Sequence, residues 1–139
     1  KSNGAITVLN PAPARDIPQT LLSLANIVVP NETESAAIGG TKQLLNLGVA
    51  TVVTTLGADG ASIDTASSTT HIAPHEVTPI DTVGAGDAFI GATCAELSRG
   101  ASIEDAARMG AIAGALATTV KGAVPSLPTR QAVLAAQKS

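Results

Sequence analysis

Apolar residues fall in short runs punctuated by Gly, Pro and polar clusters, a pattern of alternating strands and helices. Ala5 to Leu9 is stopped by Asn10-Pro11-Ala12-Pro13 and predicts a buried strand. Pro18 to Leu24 predicts a short helix with Pro18 in its first turn. Asn26 to Val29 predicts the next strand, ended by Pro30. Ser35 to Leu47 must hold the rest of one helix, a loop and a second helix, with Gly48 as C-cap. Val49 to Thr55 is a β-branched run and a strand. Leu56 to Gly60 turns it into a second strand, Ala61 to Asp64, as a hairpin with Gly where φ is positive. Thr65 to Thr70 is a polar loop, and Ile72 to Val77 predicts an edge strand. A helix follows from Ala88 to Leu97, running to about Arg99 with Gly100 as its stop. Ser102 and Asp105 have the spacing of a capping box for a helix from Ile103 to about Val120. Lys121 to Ser126 is a loop, and a weak last helix starts at Thr129.

Composition narrows the choices. In 139 residues, 45% are hydrophobic and Phe89 is the one aromatic, so the core is built from Ala, Val, Leu and Ile. That favours helices packed closely on a sheet over an aromatic-lined pocket. Net charge is −3 with scattered basic residues, which points away from nucleic acid and from anionic membranes. The most apolar run, Met109 to Val120, is too short to span a bilayer. Cys94 is alone, so no disulfide forms within the chain, in keeping with a reducing compartment. It reads as a small buried hydrophobe. His71 and His75 have no cysteine partners for a zinc site and read as surface loop residues. Lys1 is not an initiating Met, so the N-terminus looks cut or unrecorded.

The chemistry concentrates between Pro79 and Ile90. Asp81 and Thr82 close an extended segment, Val83 to Gly86 make a tight turn, and Asp87 stands at the start of a helix. Small residues there bring backbone N–H groups close to a ligand, at a helix end whose first N–H groups have no internal partner. That is an anion hole suited to phosphate. Asp87 sets a carboxylate beside it that can take a proton from an attacking hydroxyl. A cradle and a base together suit phosphoryl transfer. The plainer alternative is a strand-to-helix turn with Asp87 as a favourable first-turn charge. A dinucleotide fingerprint fails because position 89 is Phe, not Gly, and no Walker A loop exists in the sequence.

The string Asp-Thr-Val-Gly-Ala-Gly-Asp-Ala-Phe, residues 81–89, resembles the signature near the C-terminus of the ribokinase-like (PfkB) carbohydrate kinases. The resemblance extends from Asn10 to Ser126. Asn10 to Ala14, Asn31-Glu32-Thr33-Glu34 and Lys121 to Ser126 sit nearest the ribokinase branch of that family. It implies an α/β fold: the C-terminal part of a ribokinase-like three-layer α/β/α sandwich with a mostly parallel sheet. Residues 1–139 would be the nucleotide-binding and catalytic portion, with the sugar-binding segments and lid belonging to an absent N-terminal half. The family pattern has about a dozen more residues between the two helices after Asn31, judged by usual element lengths. Residues missing near 38–40, at Gly39-Gly40, are therefore expected.

The resemblance implies transfer of the γ-phosphoryl of ATP to the 5-hydroxyl of D-ribose, giving ribose 5-phosphate. Asp87 would be the base and the sugar contact, and Gly84, Ala85 and Gly86 the N–H donors. Asn31 and Glu34 would organise Mg2+ through water, a role weighed against a simple helix cap. Thr55, Gly57, Gly60 and Gly86 would border the nucleotide. Ala111 lies where relatives often carry a polar residue near adenine. Gly110 and Gly114, one turn apart, would serve packing first and adenine contact second. Asp81, Val83, Ala117, Val120, Gly122 and Ser126 would surround K+, mostly through carbonyls. The partners implied are ribose and ATP in the cytoplasm, with a homodimer left open. Two alternatives stand: another sugar or nucleoside kinase of the family, and a non-catalytic nucleotide-binding module.

Overall fold

A computed structural model describes residues 4–13 and 17–138. Lys1 and Ala14, which entered the reading above, lie outside the described residues. The chain divides into two compact units, Lys1–Gly57 with Ala61–His71, and Ala58–Gly60 with Ile72–Ser139.

The first unit is built on the sheet. Strands β1 (Val8–Leu9), β2 (Ile27–Val28), β3 (Thr51–Thr55), β4 (Ala61–Asp64) and β5 (Thr69–Ile72) follow one another in space as in sequence. β1, β2 and β3 run parallel, with Val8 opposite Ile27 and Ile27 opposite Thr51. β4 returns antiparallel to β3, pairing Val52 with Asp64. Helices α1 (Gln19–Leu22), α2 (Glu32–Ala37) and α3 (Gly40–Asn46) fill the crossovers. Leu22, Val28, Leu44 and Val52 form the buried cluster. Each such side chain contributes about 1.5–3 kcal/mol by leaving water. Thr7 and Asn26 fasten the start of β1: Thr7 N–H donates to Asn26 Oδ1 at 3.0 Å, and Asn26 N–H to Thr7 Oγ1 at 2.9 Å.

Two expectations need correction in this unit. The first strand is Val8–Leu9 and not a buried Ala5–Leu9: Val8 and Leu9 are half-buried and Ile6 is 58% exposed. The edge strand falls at Thr69–Ile72 and not Ile72–Val77. Thr65 tightens the preceding turn by accepting N–H groups from Ser67 and Ser68, while Pro74 and Pro79 cannot donate to a ladder. His71 consequently sits on a strand, though exposed, and His75 lies in irregular chain as expected. Ser35–Leu47 holds the rest of α2 and all of α3 as expected, with Gly39 at φ 97° and Gly40 at φ 81° reversing the chain between them.

The second unit is helical: α4 (Ala85–Leu97), α5 (Ile103–Ala117), α6 (Ala123–Ser126) and α7 (Arg130–Ala136). Ala88, Met109, Ile112, Ala113, Ala117 and Val133 make its core. Gly110 and Gly114 let α5 approach α4. A Cβ at Gly114 would lie 3.1 Å from the Ala85 carbonyl oxygen; one at Gly110 would overlap Thr93 Oγ1 and lie 2.8 Å from the Phe89 carbonyl oxygen. Both glycines are buried against α4, which bears out the packing role. Glu96 takes a forked contact from Arg130, 2.7 Å from Nε and 3.2 Å from Nη2, which ties α7 to α4. That hydrogen bond holds the Glu96 carboxyl below the ordinary range. Cys94 is half-buried, and burial pushes its thiol upward, away from nucleophilic character. The predicted Lys121–Ser126 loop contains a one-turn helix, α6. Ser102 caps α5 by accepting the Asp105 N–H at 3.1 Å, but the Asp105 carboxylate takes the Ser102 hydroxyl, so only half of the box forms. Among the described residues no helix is long and apolar enough to cross a membrane.

Candidate active site

The helical unit carries the candidate anion hole. Gly84 is the N-cap of α4 at φ 85° and ψ −4°, a conformation that L side chains rarely adopt. A second constraint acts there: a Cβ on Gly84 would lie 3.1 Å from Ala123 Cα and 3.3 Å from the Ala123 carbonyl oxygen. The turn is closed by the Ala85 N–H, which donates to the Thr82 carbonyl at 3.2 Å. Helical bonding resumes with Ala88 N–H to Gly84 carbonyl at 2.9 Å. The N–H groups of Gly84, Gly86 and Asp87 are left without partners among the described residues. These, rather than Ala85, are the donors free for an anion. Asp87 occupies the third helical position, exposed, with no hydrogen bond or ion pair among the described residues.

Asp81 fixes the turn's other side. Its Oδ1 accepts the Val83 N–H at 3.0 Å and its Oδ2 accepts the Gly122 N–H at 2.9 Å. The two N–H donors, Gly122 foremost, hold its carboxyl below the ordinary aspartate value. The Ile80 and Asp81 N–H groups both donate to the Thr118 carbonyl, at 2.7 and 3.0 Å. The loop after α5 is thereby clamped to the start of α4. Ser126 is buried and its hydroxyl donates to the Ala123 carbonyl at 2.8 Å. Of the residues assigned to K+, Asp81, Val83, Gly122 and Ser126 belong to this clamp and its loop, Ala117 ends α5, and Val120 lies three residues beyond it. The Val83 and Val120 carbonyls accept no hydrogen bond among the described residues. One carboxylate among neutral oxygens, two of them free, fits a weakly held monovalent cation. Ala111 is half-buried on α5. Gly60, at φ 87°, is required by packing: a Cβ there would overlap the Ile72 carbonyl oxygen and lie 2.8 Å from Pro74 N.

The sheet unit carries the other candidates at the C-terminal ends of β2 and β3, the end at which open α/β sheets bind ligands. Asn31 bridges to Thr55, whose N–H donates to the Pro30 carbonyl at 2.9 Å. Asn31 and Glu34 form a complete capping box: Asn31 Oδ1 accepts the Glu34 N–H at 2.8 Å and Glu34 Oε2 accepts the Asn31 N–H at 2.9 Å. The cap role is thus realised. Glu34 Oε1 makes no hydrogen bond, and a carboxylate oxygen held this way fits the water shell of Mg2+. Gly57 follows at φ 59°, exposed.

Sequence reasoning missed the reach of Asp81 to Gly122, 41 residues away. Its local half was readable, since Asp favours accepting the N–H two residues on.

This turn, base and clamp define a class of protein. The pfkB family carbohydrate kinase model matches residues 1–130, and the chain belongs to that family. It is similar to the ribokinase of Staphylococcus aureus, 39% identical over 96% of this chain and 48% of that protein. The ribokinase of Haemophilus influenzae is 38% identical with the same coverage. Among solved structures, Thermotoga maritima ribokinase matches with a TM-score of 0.92 at 31% identity, over 98% of this chain and 50% of that one. Arabidopsis thaliana ribokinase, solved with ribose and ATP, matches at 0.88 and 30% identity, over all of this chain and 49% of that one. The fold is therefore the ribokinase-like α/β fold. The chain spans about half the length of the relatives it matches.

Proposed function

We propose that this chain is the nucleotide-binding and phosphoryl-transfer portion of an ATP-dependent ribokinase, a phosphotransferase acting on the 5-hydroxyl of D-ribose. The observation that carries the reading is the free Asp87 carboxylate three residues past the Gly84 cap, beside unpartnered N–H groups. Asp87 accepts the proton of the attacking hydroxyl, which raises its nucleophilicity as the bond to phosphorus forms. The Gly84, Gly86 and Asp87 N–H groups donate to the phosphoryl oxygens as charge shifts toward them. Asp81 holds the turn in register by its two backbone contacts. Thr55, Gly57 and Gly60 border the nucleotide, and Ala111 lies near its base without a side-chain hydrogen bond. Asn31 and Glu34 hold the Mg2+ shell through water; when bound, that ion offsets phosphate charge. Carbonyls of Val83, Ala117, Val120 and Gly122, with Asp81 and Ser126, hold K+.

Support comes from ribokinases at 38–39% identity and from the Arabidopsis complex with ribose and ATP. A structure described as a putative ribokinase II contains ATP and Mg2+. The reading places the enzyme in the cytoplasm. The test is ADP release by the full-length protein against a panel of sugars and nucleosides, with and without K+. Ribose should be the preferred acceptor. Preference for fructose or a nucleoside reassigns the substrate, and no ADP release with any acceptor overturns the kinase reading.

A further inference from the structure

The ladder between β1 and β2 stops one bond early, and a side chain supplies the missing bond. The Thr7 carbonyl accepts the Ile27 N–H at 3.0 Å, and the Leu9 carbonyl accepts the Val29 N–H at 2.8 Å. In a parallel ladder of this register the next bond runs from the N–H of residue 11 to the Val29 carbonyl. Residue 11 is Pro, which has no N–H. Asn10 Nδ2 donates to the Val29 carbonyl instead, at 2.8 Å. Val29 is buried, so its carbonyl would otherwise be cut off from water. Only the amide nitrogen can face a carbonyl oxygen, which fixes how the Asn10 carboxamide is turned.

The bond holds the exit of β2. The Val29 carbonyl shares a peptide plane with Pro30 N, and the Pro30 ring fixes the next torsion. The Pro30 carbonyl is held from the side of β3 by the Thr55 N–H at 2.9 Å. Asn31 comes next, and its N–H and Oδ1 make the capping box with Glu34. Every torsion between the Val29 carbonyl and the Asn31 N–H is thereby restrained.

We propose that Asn10 is a positioning residue for the Asn31–Glu34 pair, its amide standing in for the N–H that Pro11 lacks. With the Val29 carbonyl held, the capping box keeps one place at the C-terminal ends of β2 and β3. The Glu34 Oε1, which makes no hydrogen bond, then keeps one aim. The proposal rests on the reading of Asn31 and Glu34 as holders of the Mg2+ shell, and it adds to that pair a residue from the neighbouring strand end.

The affinity of the full-length protein for Mn2+ in the presence of ADP, read by electron paramagnetic resonance, tests it without reading turnover. Glu34→Gln should weaken binding by about tenfold or more. Asn10→Ala should weaken it several-fold. Thr7→Ala removes a hydroxyl that bonds Asn26 and the Leu24 carbonyl at the other end of β1, so it should lower Tm and leave Mn2+ affinity unchanged. The double variant Asn10→Ala with Pro11→Ala gives residue 11 an N–H for Val29 and should recover most of the affinity. Unchanged affinity in Asn10→Ala while Glu34→Gln is weakened overturns the positioning role alone. Equal weakening in Thr7→Ala and Asn10→Ala overturns it as well, since any loosening of β1 would then suffice. A double variant as weak as Asn10→Ala overturns the exchange of amide for N–H. Unchanged affinity in Glu34→Gln overturns the metal reading together with this one.

Discussion

Gly84→Ala is the substitution whose cost the structure resolves into two parts. The first is conformational. At φ 85° an alanine adopts a left-handed backbone at about 1–2 kcal/mol. The second is contact. The new Cβ would press on Ala123, 3.1 Å from its Cα and 3.3 Å from its carbonyl oxygen. That is backbone, and Asp81 restrains it through the Gly122 N–H, so it yields poorly. Overpacking of this kind adds about 1–3 kcal/mol. Gly100→Ala isolates the first part, because Gly100 has φ 86° and open space around an added Cβ. Denaturant melts of both variants should show Gly100→Ala destabilised by about 1–2 kcal/mol and Gly84→Ala by about 2–5 kcal/mol. The extra loss should coincide with a fall in kcat, since the strained residue aims the N–H groups of α4. Equal destabilisation of the two variants, with kcat unchanged in Gly84→Ala, would refute the clamp as the element that sets the anion hole.

Three further outcomes follow from the same geometry. The Asp81 carboxyl is held below its ordinary value, so its contribution to stability is complete above that value and lost as pH falls through the lower folded one, below about pH 4. Asp81→Asn should flatten the acid limb of a Tm-versus-pH curve, and an unchanged limb contradicts the two backbone contacts. Glu34→Gln keeps an oxygen for the Asn31 N–H, so Tm should hold while the Mg2+ requirement for turnover rises; an unaltered Mg2+ dependence leaves Glu34 as a cap alone. Gly110→Ala drives a methyl group into Thr93 and Phe89 and should cost about 1–3 kcal/mol in a melt; a neutral result contradicts the close packing of α4 on α5.

Local chemistry made the site readable before the fold was seen. A Gly-Ala-Gly turn before an apolar helix pointed to α4, though the helix begins at Ala85 and not Ala88, and Asn31 with Glu34 marked the capping box at α2. Gly57 and Gly60 were placed at positive φ by the turn they had to make. The failures share a cause: pairing at a distance. Ala5 to Leu9 has the composition of a buried strand, but β1 pairs with β2 at Val8 and Leu9 alone. The threonines of β5 read as loop because the Thr65 turn that redirects them is made by side-chain hydroxyls. The Asp81 reach to Gly122 and the Glu96 fork with Arg130 join residues 41 and 34 positions apart, which no local pattern encodes.

The most direct test of the central claim is Asp87→Asn in the full-length protein, with kcat and the Kd for ATP measured on the same sample. The side chain is exposed and makes no contact among the described residues, so the exchange leaves the fold undisturbed. With Asp87 as the base, kcat falls by a factor on the order of 10²–10⁴ while ATP binding holds. Turnover near the wild-type rate would contradict the assignment and return Asp87 to a surface charge on the first turn of α4.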